Sequence, residues 1–179
     1  MIGLGTLIDV TLILLGGFAG LAFGRFISER IQDTLLKATA VAIIFIGTSG
    51  AMSGMLTVSG GEISAGGSAL VVASLALGSL IGEMLDLERQ IDRFGEWLKY
   101  ATGSSGDSEF VDAFVTASLS VAIGAMSIVG SIQDGMTGDP STLFTKSVLD
   151  LIIVMIFSST YGKGAVFSAL PVGVLQGTV

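Results

Sequence analysis

Lys146 and Asp150 stand one helical turn apart inside an apolar run. A lysine and an aspartate at this spacing can form an i,i+4 ion pair. Charges inside a span are costly unless they are paired, and they commonly mark solute or ion pathways. The loop 131–142, which leads into this pair, carries Ser131, Gln133, Asp134, Asp139, Ser141 and Thr142 among two glycines. Two readings of it stay open. It can be an exposed outer turn in which Asp139 is the N-cap and Pro140 the first residue of the next helix. It can also dip into the protein, which irregular backbone does at membrane depth only when buried or lining a cavity. Thr142, Lys146 and Asp150 then continue along one face of the following helix.

The preceding apolar run brings Asp112, Thr116, Ser120, Gly124, Ser127 and Ser131 onto one helical face at i+4 and i+3 steps. A hydroxyl line of this kind can glue helices together, at about 0.6 kcal/mol per bond, or line a hydrated path for a polar solute. Near the N-terminus, Gly5, Asp9, Gly16, Gly20 and Gly24 align at three- and four-residue steps. The glycines read as a close-packing face. Asp9, about two turns into the span, must face protein or water. The expected solute- or ion-binding set is therefore Thr116, Ser120, Ser127, Ser131, Gln133, Asp134, Asp139, Lys146 and Asp150. Asp9 and Asp112 are additional members.

Composition limits the chemistry further. The chain has neither Cys nor His. This removes thiol and imidazole catalysis and the zinc, haem and iron–sulfur sites that need those ligands. No metal and no cofactor is expected. A net charge of −7 without a basic patch argues against nucleic acid. A membrane aspartyl protease would need a Gly-x-Gly-Asp signature, whereas the chain has Met-Thr-Gly-Asp. A Ser127 or Ser131 dyad with Lys146 lacks a nucleophile turn or oxyanion-hole motif. The sequence does not read as an enzyme.

The elements that must position these residues are membrane helices. Of 179 residues, 51% are hydrophobic and 13% charged, mean hydropathy is +0.85, and there are 26 glycines. A soluble domain would carry about a quarter charged residues. A helix needs about 20 apolar residues to cross a bilayer. Runs at 2–26, 35–58, 68–85, 110–130 and 143–161 qualify, and a sixth covers 165–179. The sixth spans only about 22 Å, so the sequence is expected to continue beyond it. Residues 83–99 read as an amphipathic helix at the membrane surface or against its neighbours. Met84, Leu87, Ile91, Phe94 and Leu98 form its apolar face, and Trp97 anchors it at the interface. The Gly- and Ser-rich stretch 102–109 reads as a flexible linker. The fold class is all-α, a polytopic transmembrane bundle in one membrane domain, 1–179. Its parts are 1–82 (three spans), 83–101 (amphipathic helix), 102–109 (linker) and 110–179 (the remaining spans, the last incomplete).

Orientation follows from the basic residues. With the N-terminus outside, Arg25, Arg30, Lys37, Arg89, Arg93, Lys99 and Lys163 are cytoplasmic and only Lys146 is not. This is a strong positive-inside bias. Gly-Ala-Met-Ser occurs at 50–53 and again at 124–127, too short a match in so glycine- and alanine-rich a chain to count as a repeat.

Several stretches resemble the YqgA-like family. They are the opening Met-Ile-Gly-Leu-Gly-Thr-Leu, the run Phe-Ile-Gly-Thr-Ser-Gly-Ala at 45–51, and Gly-Glu-Met-Leu-Asp-Leu-Glu at 82–88. The stretch at 124–135, followed by Gly138-Asp139 and by 146–150, does so too. The resemblance covers essentially the whole chain. It implies a multi-helix protein of the bacterial inner membrane, about two hydrophobic segments longer than this chain, with no established substrate. It also implies asparagine where this chain has Asp9.

Three functions remain in competition. The leading one is a secondary transporter or permease for a small polar solute or ion, built on the fourth and fifth spans and the loop between them. The second is a channel, or a structural or regulatory membrane protein that moves no solute. The third is an intramembrane enzyme. The lipid bilayer is the expected partner, with a small polar solute or ion, no nucleic acid, and homo-oligomerisation left open.

Overall fold

A computed structural model describes residues 3–59, 61–122 and 124–179. Met1 and Ile2, at the start of the expected first span, and Ile123, inside the expected fourth, lie outside the described residues. So does Gly60. The described chain is helical apart from one hairpin: α1 (Leu4–Phe23), α2 (Glu29–Met55), β1 (Leu56–Ser59), β2 (Glu62–Ala65), α3 (Ser68–Leu85), α4 (Leu87–Ala101), α5 (Phe110–Ala122), α6 (Ala125–Thr137), α7 (Ser141–Tyr161) and α8 (Ala169–Thr178). Four helical stretches, at 4–23, 29–55, 68–101 and 141–161, are long and apolar enough to cross a membrane, and the bent pair α5–α6 makes a fifth if it forms one span. The sixth apolar run does not form a spanning helix. It is a 3₁₀ segment, Lys163–Ser168, followed by the ten-residue α8.

The chain forms two compact units, Lys37–Leu87 and the remainder. The first contains most of α2, the hairpin and α3. In the hairpin Leu56 pairs with Ala65 and Val58 with Ile63 in antiparallel register, and Gly61 takes a positive φ of 86° in the turn. The expected second span runs to 58 and the outer loop covers 59–67, whereas α2 ends at Met55 and the hairpin takes both the end of that span and the loop. Every described residue of α3 is at least partly exposed, and a Cβ added at Gly47, Gly50 or Gly54 would meet nothing within 4 Å. Wide apolar exposure of this kind suits lipid or another protein surface.

The second unit packs α1, α4, α5, α6, α7 and α8 around three apolar clusters. Ile13, Val121, Ala122, Ile153, Val154, Ala169 and Val172 form the first. Leu98, Phe110, Val111 and Phe114 form the second, which seats α4 against α5. The third is a small alanine contact of Ala113, Ala117 and Ala165.

Three expectations change here. The amphipathic face does not run unbroken from Met84 to Leu98. α3 ends at Leu85, Asp86 adopts a left-handed φ of 46°, and α4 begins afresh. An aspartate tolerates that conformation better than most residues. Within α4, Gly95 and Leu98 are buried, while Trp97 stays exposed and stacks on Phe94 at 5.5 Å. The stretch 102–109 is not an open linker. Ser104 is buried, its amide donates to the Lys99 carbonyl, and the Asp107 amide donates to the Ser104 carbonyl. Finally, the fourth span is broken into α5 and α6, which meet at 56°.

Candidate functional site

The site is built on the seam between α1 and α7. A Cβ at Gly16 would overlap the Leu151 carbonyl oxygen, one at Gly20 the Met155 carbonyl oxygen, and one at Gly24 the Ser159 side chain. Each step of four along α1 matches a step of four in the same direction along α7. The two helices therefore run parallel, backbone against backbone, as small residues at four-residue spacing allow. This confirms the close-packing face expected from the glycines.

Toward the N-terminal ends of both helices the seam changes character. Asp9 lies on the same face as Gly5 and Gly16 and is fully buried. Opposite it, Lys146 and Asp150 are about one-twentieth exposed. The Lys146 ammonium donates to Asp9 Oδ2 at 2.8 Å and also to Asp150 Oδ2. From α8, Gln176 Nε2 donates to the same Asp9 Oδ2 at 2.6 Å. Asp9 Oδ1 and Gln176 Oε1 are buried with no hydrogen-bond partner. The expected i,i+4 pair is thus present, and Asp9 completes it into a triad of two carboxylates around one ammonium.

This polar cluster is enclosed on both sides along the helix axes. One turn beyond it lie Ile13 on α1, Ile153 and Val154 on α7 and, on α8, Val172, all buried members of the first apolar cluster. One turn before it, Leu143 is fully buried, seated against Gly5 and Gly130. Charges closed between two apolar layers interact far more strongly than they would in water.

Asp134 does something different from what its place in a polar stretch suggests. It lies in α6, which runs through Thr137, so most of the expected loop is helix and only Gly138–Pro140 connect it to α7. Its Oδ2 accepts the Gly5 amide at 2.9 Å. The first amides of a helix lack intrahelical partners and favour a nearby negative charge. Asp134 therefore caps α1 from another helix, with its Oδ1 buried and unpaired. Asp139 is exposed and accepts the Ser141 amide at 3.0 Å. It accepts the first amide of α7 from one residue further out than expected, because Pro140 is the N-cap and Ser141 the first helical residue. That amide holds the Asp139 carboxyl below its ordinary 3.8. Gln133 accepts a hydrogen bond from the Thr142 hydroxyl at 2.6 Å.

The single face expected from Asp112 to Ser131 is divided. The backbone at Gly124 is extended, so α5 and α6 do not share a face. Asp112, Thr116 and Ser120 are exposed on α5, and the Ser120 hydroxyl bonds back to the Thr116 carbonyl. Ser127 and Ser131 are buried on α6. The Ser127 hydroxyl reaches the Val121 carbonyl at 3.5 Å, the long limit of such a bond. The break removes that carbonyl's usual helical partner, and a serine replacing it is a common repair in membrane helices. Of the expected set, the structure brings together Asp9, Lys146 and Asp150. Gln176 joins them although the sequence reading omits it. The available signal is its amide, the one carboxamide side chain in a largely apolar segment. Among the described residues no group of three or more His, Cys, Asp or Glu side chains is placed to hold a metal ion.

Spans of this length and apolarity, with a charged cluster enclosed between them, define a helical membrane protein. Residues 4–179 match the family described as "Protein of unknown function (DUF554)", and the chain belongs to it. It is similar to the "Uncharacterized membrane protein YdfK" of Bacillus subtilis, 29% identical over 98% of this chain and 70% of the relative. It is also similar to the "Uncharacterized protein YqgA" of Escherichia coli, 28% identical over 98% of this chain and 72% of the relative. No solved structure matches.

Proposed function

We propose that the protein is a secondary transporter or permease for a small polar solute or ion in the bacterial cytoplasmic membrane, and that the Asp9–Lys146–Asp150–Gln176 cluster is the seat of the transported species. The observation that carries this reading is the cluster itself: three ionisable side chains buried between spans, with acceptor oxygens of Asp9 and Gln176 left open. Helix packing alone does not call for it. The lower half of the same seam packs with glycine and no charge. Buried ion pairs are also replaced by apolar residues at little cost to stability in many proteins. The broken α5–α6 span beside the seam supports the same reading, since discontinuous helices are where transporters build their sites. Leu143, between Gly5 and Gly130, would close the cluster toward the α6–α7 turn.

The orientation we favour has the N-terminus outside. Parallel α1 and α7 support an even number of crossings between their starts, and the basic-residue bias supports the N-out direction. Exposed Glu62 replaced by Cys should react with an impermeant thiol reagent from outside. Ser108→Cys should react only after permeabilisation, and the reverse pattern would invert the topology.

Uptake into proteoliposomes tests the function. With a panel of radiolabelled amino acids, sugars and inorganic ions, at least one solute should accumulate with the wild type and not with Asp150→Asn. Equal uptake by both proteins across the whole panel would contradict transport through this cluster.

A further inference from the structure

The cluster holds two carboxylates and one ammonium, so it lacks one positive charge. Burying an uncompensated charge costs several kcal/mol even after relaxation. Among the described residues the neighbouring elements offer no second cation to fill the gap, and Lys163, on the 3₁₀ segment, is exposed. α1 contributes Asp9 and α7 contributes Lys146 and Asp150. α6 contributes Asp134, which adds negative charge and is occupied with the Gly5 amide. α8 contributes the uncharged Gln176, and α5 carries only Asp112, exposed on its own helix. The hydrogen bonds show where the missing charge belongs. Asp9 Oδ2 accepts from both Lys146 and Gln176, while Asp9 Oδ1 and Gln176 Oε1 accept from nothing and are buried.

We propose that this seat takes a single proton for its two carboxyls, held at the open Asp9 Oδ1 while Asp150 stays paired with Lys146, and that this proton is the coupling ion of the transport reading above, on which the inference rests. A proton fits better than a metal cation. Hard cations such as calcium and magnesium gather about six oxygens, whereas the open acceptors here are the Asp9 and Gln176 oxygens alone, and the ammonium already occupies the centre. Two carboxyls forced together share a proton because both cannot ionise side by side in a low dielectric. Lys146 moderates that repulsion without cancelling it. Loading the proton makes the cluster neutral, and releasing it restores a net negative seat.

The test is infrared difference spectroscopy of the purified protein in lipid nanodiscs, titrated with pH in a choline buffer and with no solute added. The wild type should show one carboxyl carbonyl band of a protonated acid that disappears as pH rises. Asp150→Asn and Asp9→Asn each leave one carboxylate to one ammonium, so both should fold and both should lose the band. Lys146→Met removes the ammonium and should move the titration to higher pH with a stronger band. A wild type without such a band while folded, or a band that survives in both Asp variants, would overturn the proposal. A band that vanishes when sodium or potassium replaces choline would assign the charge to a metal cation and overturn it equally. Because no solute is present, a failure here is separate from a failure of solute uptake in proteoliposomes.

Discussion

The α1–α7 seam is two interfaces in one. From Gly16 to Gly24 the helices touch closely, with Gly16, Gly20 and Gly24 each pressed on a residue of α7. From Gly5 to Ile13 the space is filled instead by Asp9, Lys146 and Asp150, between the layers of Leu143 and Val154. The two halves lie on the same pair of parallel helices, so geometry alone does not dictate charge. The glycine half shows that the pair packs well without ionisable groups. The charged half therefore reflects what this end of the seam has to hold. The same four-residue glycine spacing on α2, at Gly50 and Gly54, meets nothing within 4 Å. Spacing makes close approach available, and a partner must still be present to use it.

The sharpest way to break the comparison is to unbalance the charged half. Lys146→Met leaves two buried carboxylates facing each other and should destabilise the protein by about 3–5 kcal/mol at neutral pH, read as thermal unfolding in detergent. The loss should shrink on acidification as the carboxyls take up protons. Asp150→Asn keeps one carboxylate for one ammonium and should cost far less. In the glycine half, Gly20→Val drives a side chain into the Met155 carbonyl. It should cost about 1–3 kcal/mol with no dependence on pH, because the clash with the Met155 backbone involves no ionisable group. If both variants had the same pH profile, the two halves would not differ as argued.

Next in size comes Asp134, whose carboxylate caps the N-terminal end of α1. Asp134→Ala should cost about 1–2 kcal/mol and increase hydrogen exchange at the first turn of α1, leaving the Lys146 cluster intact. The smallest effect belongs to Asp139, exposed at the start of α7. Its folded carboxyl lies below the ordinary 3.8 because it accepts the Ser141 amide. The stability it contributes is therefore complete above 3.8 and is lost as pH falls through the lower folded value. Asp139→Ala should lower the unfolding temperature slightly at neutral pH. The difference from wild type should disappear at strongly acid pH.

The sequence shows some of this and hides the rest for physical reasons. Lys146 and Asp150 are legible because charge in an apolar run is costly and four-residue spacing is local. The glycine face of α1 is legible by the same periodicity, and Asp9 lies on it. That Asp9 meets Lys146, 137 positions away, depends on the register of two parallel helices, which no local pattern encodes. Gln176 comes from a third helix, short and apolar, and falls outside both periodicities. The division of the Asp112–Ser131 line is hidden because the apolar run continues through the break, with only Gly124 to mark it. The polar stretch 131–137 reads as loop by composition, yet it folds as helix because Ser131 and Asp134 find partners inside the unit.

The central claim is that the charged half serves a solute or ion rather than the packing of helices. The direct measurement is uptake and thermal stability of one variant, Asp9→Asn/Lys146→Met/Asp150→Leu, beside the wild type. With every charge of the cluster removed, no uncompensated group remains buried, so the unfolding temperature should match or exceed that of the wild type. Uptake of the solute found with the wild-type proteoliposomes should fall to the level of empty liposomes. A variant that is stable and transports as well as the wild type would contradict the claim, making the cluster part of the scaffold.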